Sequence, residues 1–143
     1  MLFGSICVMR KMEIVETALR FVEKINAGDV DGIALLMTEN HRFIDSLGNL
    51  ITGRDEMKKG WEIYLRTVPD YRIEVEESFK NGNSVMLFGK ASGTYSPDGK
   101  VHPEYAWSTL SVWIAKVEDG LVSEWRVYAD NEPIRRHMRD AST

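Results

Sequence analysis

The sequence predicts an α+β fold, a cone in which a curved antiparallel sheet wraps around helices. Two observations carry this reading. Apolar residues recur at three- and four-residue spacing in the first half and alternate along long runs in the second. Turn signals then divide the second half into a meander of strands. The chain has 143 residues, which suits one domain. Helices first and antiparallel strands after them make a layout in which helices cover one face of the sheet. Such a cone has an apolar interior open at one end, a natural place for a small-molecule pocket.

The elements follow in order. From Met12 to Ala27, Ile14, Ala18, Phe21, Val22 and Ile25 form one helical face, opposite Glu13, Glu16, Arg20, Glu23 and Lys24. Asn26-Ala27-Gly28 stops this helix, and Asp29 caps a second short one through Ile33, Leu36 and Met37. His41 to Asp45 is extended and ends at Ser46-Leu47-Gly48-Asn49. Thr52 and Asp55 read as a capping box opening a third helix through Met57, Trp61, Tyr64 and Leu65, which Pro69-Asp70 ends. Tyr71, Ile73 and Val75 then alternate with Arg72, Glu74 and Glu76 as a half-buried strand. Strands follow at Ser84–Tyr95, Glu104–Val117 and Leu121–Asp130, separated by turns at Ser96-Pro97-Asp98-Gly99 and Glu118-Asp119-Gly120. The domain therefore spans 12–132. Residues 1–11 are expected to be a loose extension, and 133–143 a polar tail with one helical turn and then disorder.

Composition narrows the function. Eighteen Lys+Arg against 22 Asp+Glu give a net charge of −4, which argues against nucleic acid and against a polybasic membrane-surface role. A single cysteine, Cys7, excludes an intrachain disulfide and a Cys-based metal site. His41, His102 and His137 carry no metal-binding spacing, so neither a metal nor a cofactor is expected. No apolar run reaches the length of a membrane span, and the apolar opening lacks the basic flank of a secretion signal. The expected compartment is the cytoplasm.

Several stretches resemble the nuclear transport factor 2-like superfamily, in its ketosteroid isomerase and SnoaL-like polyketide cyclase branch. These are Ile25 to Ile33, His41 to Gly48, Gly53, and Gly120 to Asp130. The resemblance implies the cone fold. It leaves the activity open among isomerases, cyclases, dehydratases, epoxide hydrolases and non-catalytic binding modules. Asp45 falls where ketosteroid isomerases place their proton-shuttling aspartate. Their oxyanion tyrosine aligns with Phe21, which has no hydroxyl, and no carboxylate occurs near Ser108 to Val112, where their protonated aspartate would fall. Removing one oxyanion donor typically costs about 2.7–4 kcal/mol, so steroid isomerisation by that mechanism is not expected.

Asp45 shares a strand face with His41 and Phe43 and is the first candidate base; the bland reading makes it a turn residue bonding the amides of Gly48 or Asn49. His41 either reaches a ligand or simply opens the strand. Glu124, Arg126, Tyr128 and Asp130 lie on one face of the last strand, and Trp125, Val127 and Ala129 on the other. The family register turns the polar row to the cavity and the apolar row outward, where these folds often dimerise. On that register Asp130 rivals Asp45 as acid/base, and Arg126 with the two aspartates resembles limonene epoxide hydrolase. Trp61, Tyr64 and Trp107 are pocket or core aromatics, and Thr109 belongs to a hydroxyl-rich strand able to donate to a carbonyl ligand.

Two functions follow. One is a cofactor-free enzyme in which Asp45 or Asp130, with Arg126, transfers a proton or activates water on a small apolar molecule, held by His41, Phe21, Phe43, Trp61, Tyr64, Trp107, Thr109 and Tyr128. The other is a non-catalytic homodimeric binding or scaffold module. Aspartates tied to backbone amides would favour the second.

Overall fold

The computed structural model describes the backbone of residues 2–142 and the side chains of 14–142. The helices are α1 (Leu2–Asn26), α2 (Val30–Leu35), α3 (Arg54–Thr67) and α4 (Glu132–Ala141). The strands are β1 (Met37–Ile44), β2 (Leu50–Thr52), β3 (Arg72–Asn81), β4 (Ser84–Thr94), β5 (Ala106–Glu118) and β6 (Leu121–Ala129). The α+β prediction and the order of elements agree with this architecture.

One six-stranded sheet has the order β2-β1-β6-β5-β4-β3. Every pairing is antiparallel except β1 with β6, which is parallel. The antiparallel meander expected in the second half, β3 to β6, is present, and the expected antiparallel sheet is corrected only where β1 joins it. Hairpins enforce antiparallel pairing only between neighbours in sequence, and some eighty residues of chain separate β1 from β6.

α1 lies on the concave face. Ala18, Phe21, Val22 and Ile25 are buried from the helix side, and Val85, Leu87, Trp113, Ala115 and Trp125 from the sheet side. The Phe21 and Trp125 rings are 4.9 Å apart. The end of α1 is fastened to the sheet by Asn26, whose Nδ2 donates to Ile73 O (3.0 Å) and whose Oδ1 accepts from Ile73 N (2.8 Å). The amide side chain thus pairs with β3 as a strand residue would. Asp29 caps α2 as expected, its Oδ1 accepting from Gly32 N at 2.9 Å. At Gly89, beside the irregularity between Val75 and Glu77, a Cβ would meet Glu74 O at 1.8 Å, so only glycine lets β3 and β4 pair that closely there.

Four local expectations change. α1 begins at Leu2, so residues 2–11 of the expected loose extension continue the helix, while their side chains, and all of residue 1, lie outside the described residues. β1 begins at Met37, four residues before the expected start, because the second helix ends at Leu35. Thr52 belongs to β2, and the N-cap of α3 is Gly53 at φ +107 with no side-chain bond, so the capping box does not form. The tail is a ten-residue helix, α4, anchored by buried Ile134 and by His137, whose Nε2–H donates to Ala106 O at 3.0 Å. An amphipathic helix that docks one apolar side chain keeps its shape where isolated propensity would let it fray.

No helix among the described residues is long and apolar enough to cross a membrane.

Candidate functional site

A cavity of about 270 Å³ lies between α3 and the sheet. That is slightly below the roughly 300–1,000 Å³ typical of sites for drug-sized ligands. The floor comes from α3, where Met57, Gly60, Trp61 and Tyr64 sit at i, i+3, i+4 and i+7 and share one helical face. Gly60 carries no side chain there and leaves room above the helix backbone. The sheet contributes Phe43, Ile51, Trp125 and Val127, and Tyr71 joins them from just before β3. Asp45, Ser46 and Asn131 form a polar side.

The rings are packed edge to face. Trp61 meets Phe43 at 75° (6.3 Å) and Tyr64 at 82° (6.2 Å), and Tyr64 meets Tyr71 at 85° (5.0 Å). This is the arrangement that the ring quadrupoles favour. Burial pushes the Tyr64 and Tyr71 hydroxyls well above the ordinary phenol range, so both stay protonated. Asn131 Nδ2 donates to Ser46 Oγ at 2.7 Å and ties the segment before α4 to the turn after β1. A second hollow of about 330 Å³ adjoins, lined by Thr67, Val68, Ile134, Arg135 and Met138 and sharing Tyr64 and Asn131 with the first. α4 thus walls this second hollow through Ile134, Arg135 and Met138.

Asp45 lines the cavity, and its carboxylate also organises the turn. Oδ1 accepts from Leu47 N and Asn49 N, both at 2.9 Å, and Oδ2 accepts from Asn49 Nδ2 at 3.1 Å. The strand-face and turn readings of this residue therefore hold together, with Leu47 in place of Gly48 as the second amide donor.

The last strand corrects the expected register. Ala115 pairs with Trp125 and Trp113 with Val127, so these residues share the concave face. Ile114 pairs with Arg126 and Val112 with Tyr128 on the convex face. Arg126 and Tyr128 therefore lie outside the cavity, with Arg126 Nη1 donating to Tyr128 Oη at 3.3 Å. Asp130 is exposed and accepts from Glu132 N at 3.0 Å. The physical reason is the burial of Trp125 and Val127, which outweighs any pull of a polar row toward an oily interior. Glu124, on the convex side, is buried between Arg42 (3.5 Å) and Lys116 (3.7 Å).

Other candidates divide. Phe43, Trp61 and Tyr64 line the cavity. Phe21 is fully buried between Trp125 and His41 as core. Trp107 is buried and stacks near Tyr71 at 6.1 Å, behind the cavity wall. Thr109 faces the concave side of β5, but its hydroxyl turns to Leu110 O at 3.4 Å. His41 is fully buried in the core, and its Nδ1–H donates to Val122 O at 2.7 Å. Sequence reasoning missed Ser46, Ile51, Met57, Gly60, Tyr71, Trp125, Val127 and Asn131 as lining residues. The helical spacing of Met57 and Gly60 to Trp61 was the available signal for two of them.

Comparison with known proteins places this geometry. A SnoaL-like domain profile matches residues 18–129. A provisionally named SnoaL-like polyketide cyclase from Shewanella denitrificans OS-217 superposes with a TM-score of 0.76 at 13% identity, over 89% of this chain and 97% of its own. Another so named, from Jannaschia sp. CCS1, gives 0.72 at 21% identity, over 83% and 86%. An NTF2-like protein of unknown function from Cytophaga hutchinsonii ATCC 33406 gives 0.65 at 18%, over 85% and 94%. No curated protein matches the chain.

His41 yields a pH prediction. Burial holds its pKa below the ordinary 6.5, opposed by the Val122 carbonyl and then by Glu124. The unfolded chain therefore takes up this proton at higher pH than the folded one. The associated stability is present above about pH 6.5 and is lost as pH falls below it, by at most about 1.4 kcal/mol per pH unit. Urea unfolding between about pH 7.5 and about pH 5.5 should show a steeper loss for the wild type than for His41→Leu. Parallel profiles would contradict the assignment.

Proposed function

The chain belongs to the SnoaL-like domain family, and from that premise we propose that it binds a small, mostly apolar organic molecule in the cavity between α3 and the sheet. The observation that carries this reading is the lining: apolar and aromatic walls with a few polar groups gathered on one side. The cavity volume favours a compact ligand of monoterpenoid size over a steroid. Both aspartates offered for catalysis bond backbone amides, Asp45 those of Leu47 and Asn49 and Asp130 that of Glu132. This supports a binding module first.

One observation favours a second reading as an acid/base enzyme. Asp45 and the protonated hydroxyl-bearing residues Tyr64 and Tyr71 line the same cavity. A carboxylate base and phenol donors are the parts that enolisation next to a carbonyl requires.

We also propose a homodimer through the convex face of the sheet. The apolar residues of this face are Leu110, Phe88, Phe79 and Tyr128, at 78%, 37%, 53% and 48% exposure. Phe79 and Phe88 stack edge to face at 5.5 Å. Val112, paired with both Phe88 and Tyr128, joins the patch across the strands. An apolar surface spread over four adjacent strands marks an association site. The outer face expected for a dimer is retained, with Leu110, Phe88, Phe79 and Tyr128 on it in place of Trp125, Val127 and Ala129, which turn inward.

Thermal-shift and calorimetric titration with monoterpenoid ketones and epoxides tests the site. Gly60→Leu should abolish binding while leaving the fold as stable or up to about 1 kcal/mol more stable, since it fills the cavity and improves helix propensity. Asp45→Asn should keep the turn and the affinity; loss of a measurable turnover in that variant would establish the enzymatic reading instead. Unchanged binding in Gly60→Leu would place the ligand elsewhere. In light-scattering chromatography, Leu110→Glu should shift the chain to monomer with stability within about 0.5 kcal/mol of wild type. A wild type that is already monomeric would refute the dimer.

A further inference from the structure

The charge inventory of the cavity points to a ligand class; this step rests on the cavity being a ligand site. Among its lining residues, Asp45 is the only carboxylic acid, and no Lys, Arg or His lines it. Asp45 forms no ion pair with any described residue; its oxygens are held by the backbone N–H groups of Leu47 and Asn49 and by the Asn49 amide. Those donors orient the carboxylate without supplying a countercharge. Around the same space stand Phe43, Trp61, Tyr64 and Tyr71, with adjoining rings at 75°, 82° and 85°. With Trp61 and Tyr71 tilted at 41°, the four rings that line this volume stand in several orientations around it. The face of an aromatic ring carries the negative end of its quadrupole and attracts a cation within about 6 Å of the centroid.

The remaining lining decides what kind of cation fits. Met57, Ile51 and Val127 are apolar, and the acceptors on the polar side are already engaged, Asp45 by Leu47 N, Asn49 N and Asn49 Nδ2 and Ser46 Oγ by Asn131 Nδ2, so a primary ammonium would replace little of the hydration of its N–H groups. A methylated ammonium has an apolar shell, needs no such acceptors, and carries a spread positive charge. Arg135 lines the adjoining hollow and not this one. We propose that the cavity binds a tertiary or quaternary alkylammonium group, its methyl groups packed on Phe43, Trp61, Tyr64 and Tyr71 and its charge balanced by Asp45.

The test compares two isosteres, choline and its neutral carbon analogue 3,3-dimethylbutan-1-ol, by calorimetry on the full chain at low ionic strength. Choline should bind at least tenfold more tightly, about 1.4 kcal/mol. Asp45→Asn should reduce that preference severalfold at an unchanged melting temperature, and Gly60→Leu should remove binding of both compounds. Equal affinities, or a preference for the neutral analogue, would overturn the ammonium assignment and leave the apolar-ligand reading standing. Binding of neither compound would overturn both. A choline preference that survives intact in Gly60→Leu would place the cation outside the cavity and overturn the assignment as well.

Discussion

The side of β6 that faces the helices governs every other feature of the site. Trp125 points to the concave side, against Phe21, and Val127 follows it two residues later. A buried tryptophan removes roughly 200 Å² of surface from water, worth about 5 kcal/mol at ~25 cal/mol per Å². Turning the strand over would expose that ring and push Arg126 and Tyr128 into an oily interior. Register with β5 repeats the same choice, because Trp113 and Ala115 lie beside Val127 and Trp125. The hydrophobic partition across two strands thus fixes the cavity wall, and the chemistry of the cavity follows from it.

Alternation along β6 was legible in the sequence, since a period of two separates Trp125 and Val127 from Arg126 and Tyr128. Periodicity names two faces without saying which is inside. The family register suggested the polar row, and the hydrophobicity of the residues themselves indicated the opposite. Catalytic precedent pulled the expectation away from the stronger physical term. Long elements were readable because their patterns run for many residues, as in β4 and β5. The three-residue β2 and the parallel pairing of β1 with β6 were not, since both depend on contacts remote in sequence. α4 was also hidden: its polar surface resembles a tail, and one buried residue, Ile134, docks it.

At the site, the spacing Met57, Gly60, Trp61, Tyr64 was readable as a helical face. Tyr71 was not, because it lies at a strand entrance whose alternation signalled only half-burial. Asp45 illustrates how one residue serves two levels of organisation. Its backbone and carboxylate close the turn between β1 and β2, and the same turn holds the carboxylate at the cavity edge. The position of a charge that a ligand would meet is therefore set by main-chain hydrogen bonds, which are stiffer than a free side chain. Ser46 and Asn131 extend this order to the segment entering α4.

The inward orientation of β6 and the location of the cavity are tested together by the indole N–H signals of the tryptophans during a titration with toluene, followed by ¹H–¹⁵N NMR. The indole resonances of Trp61 and Trp125 should move in step with saturation. Perturbations confined to Arg126, Tyr128 and Asp130, with Trp61 and Trp125 unmoved, would contradict both.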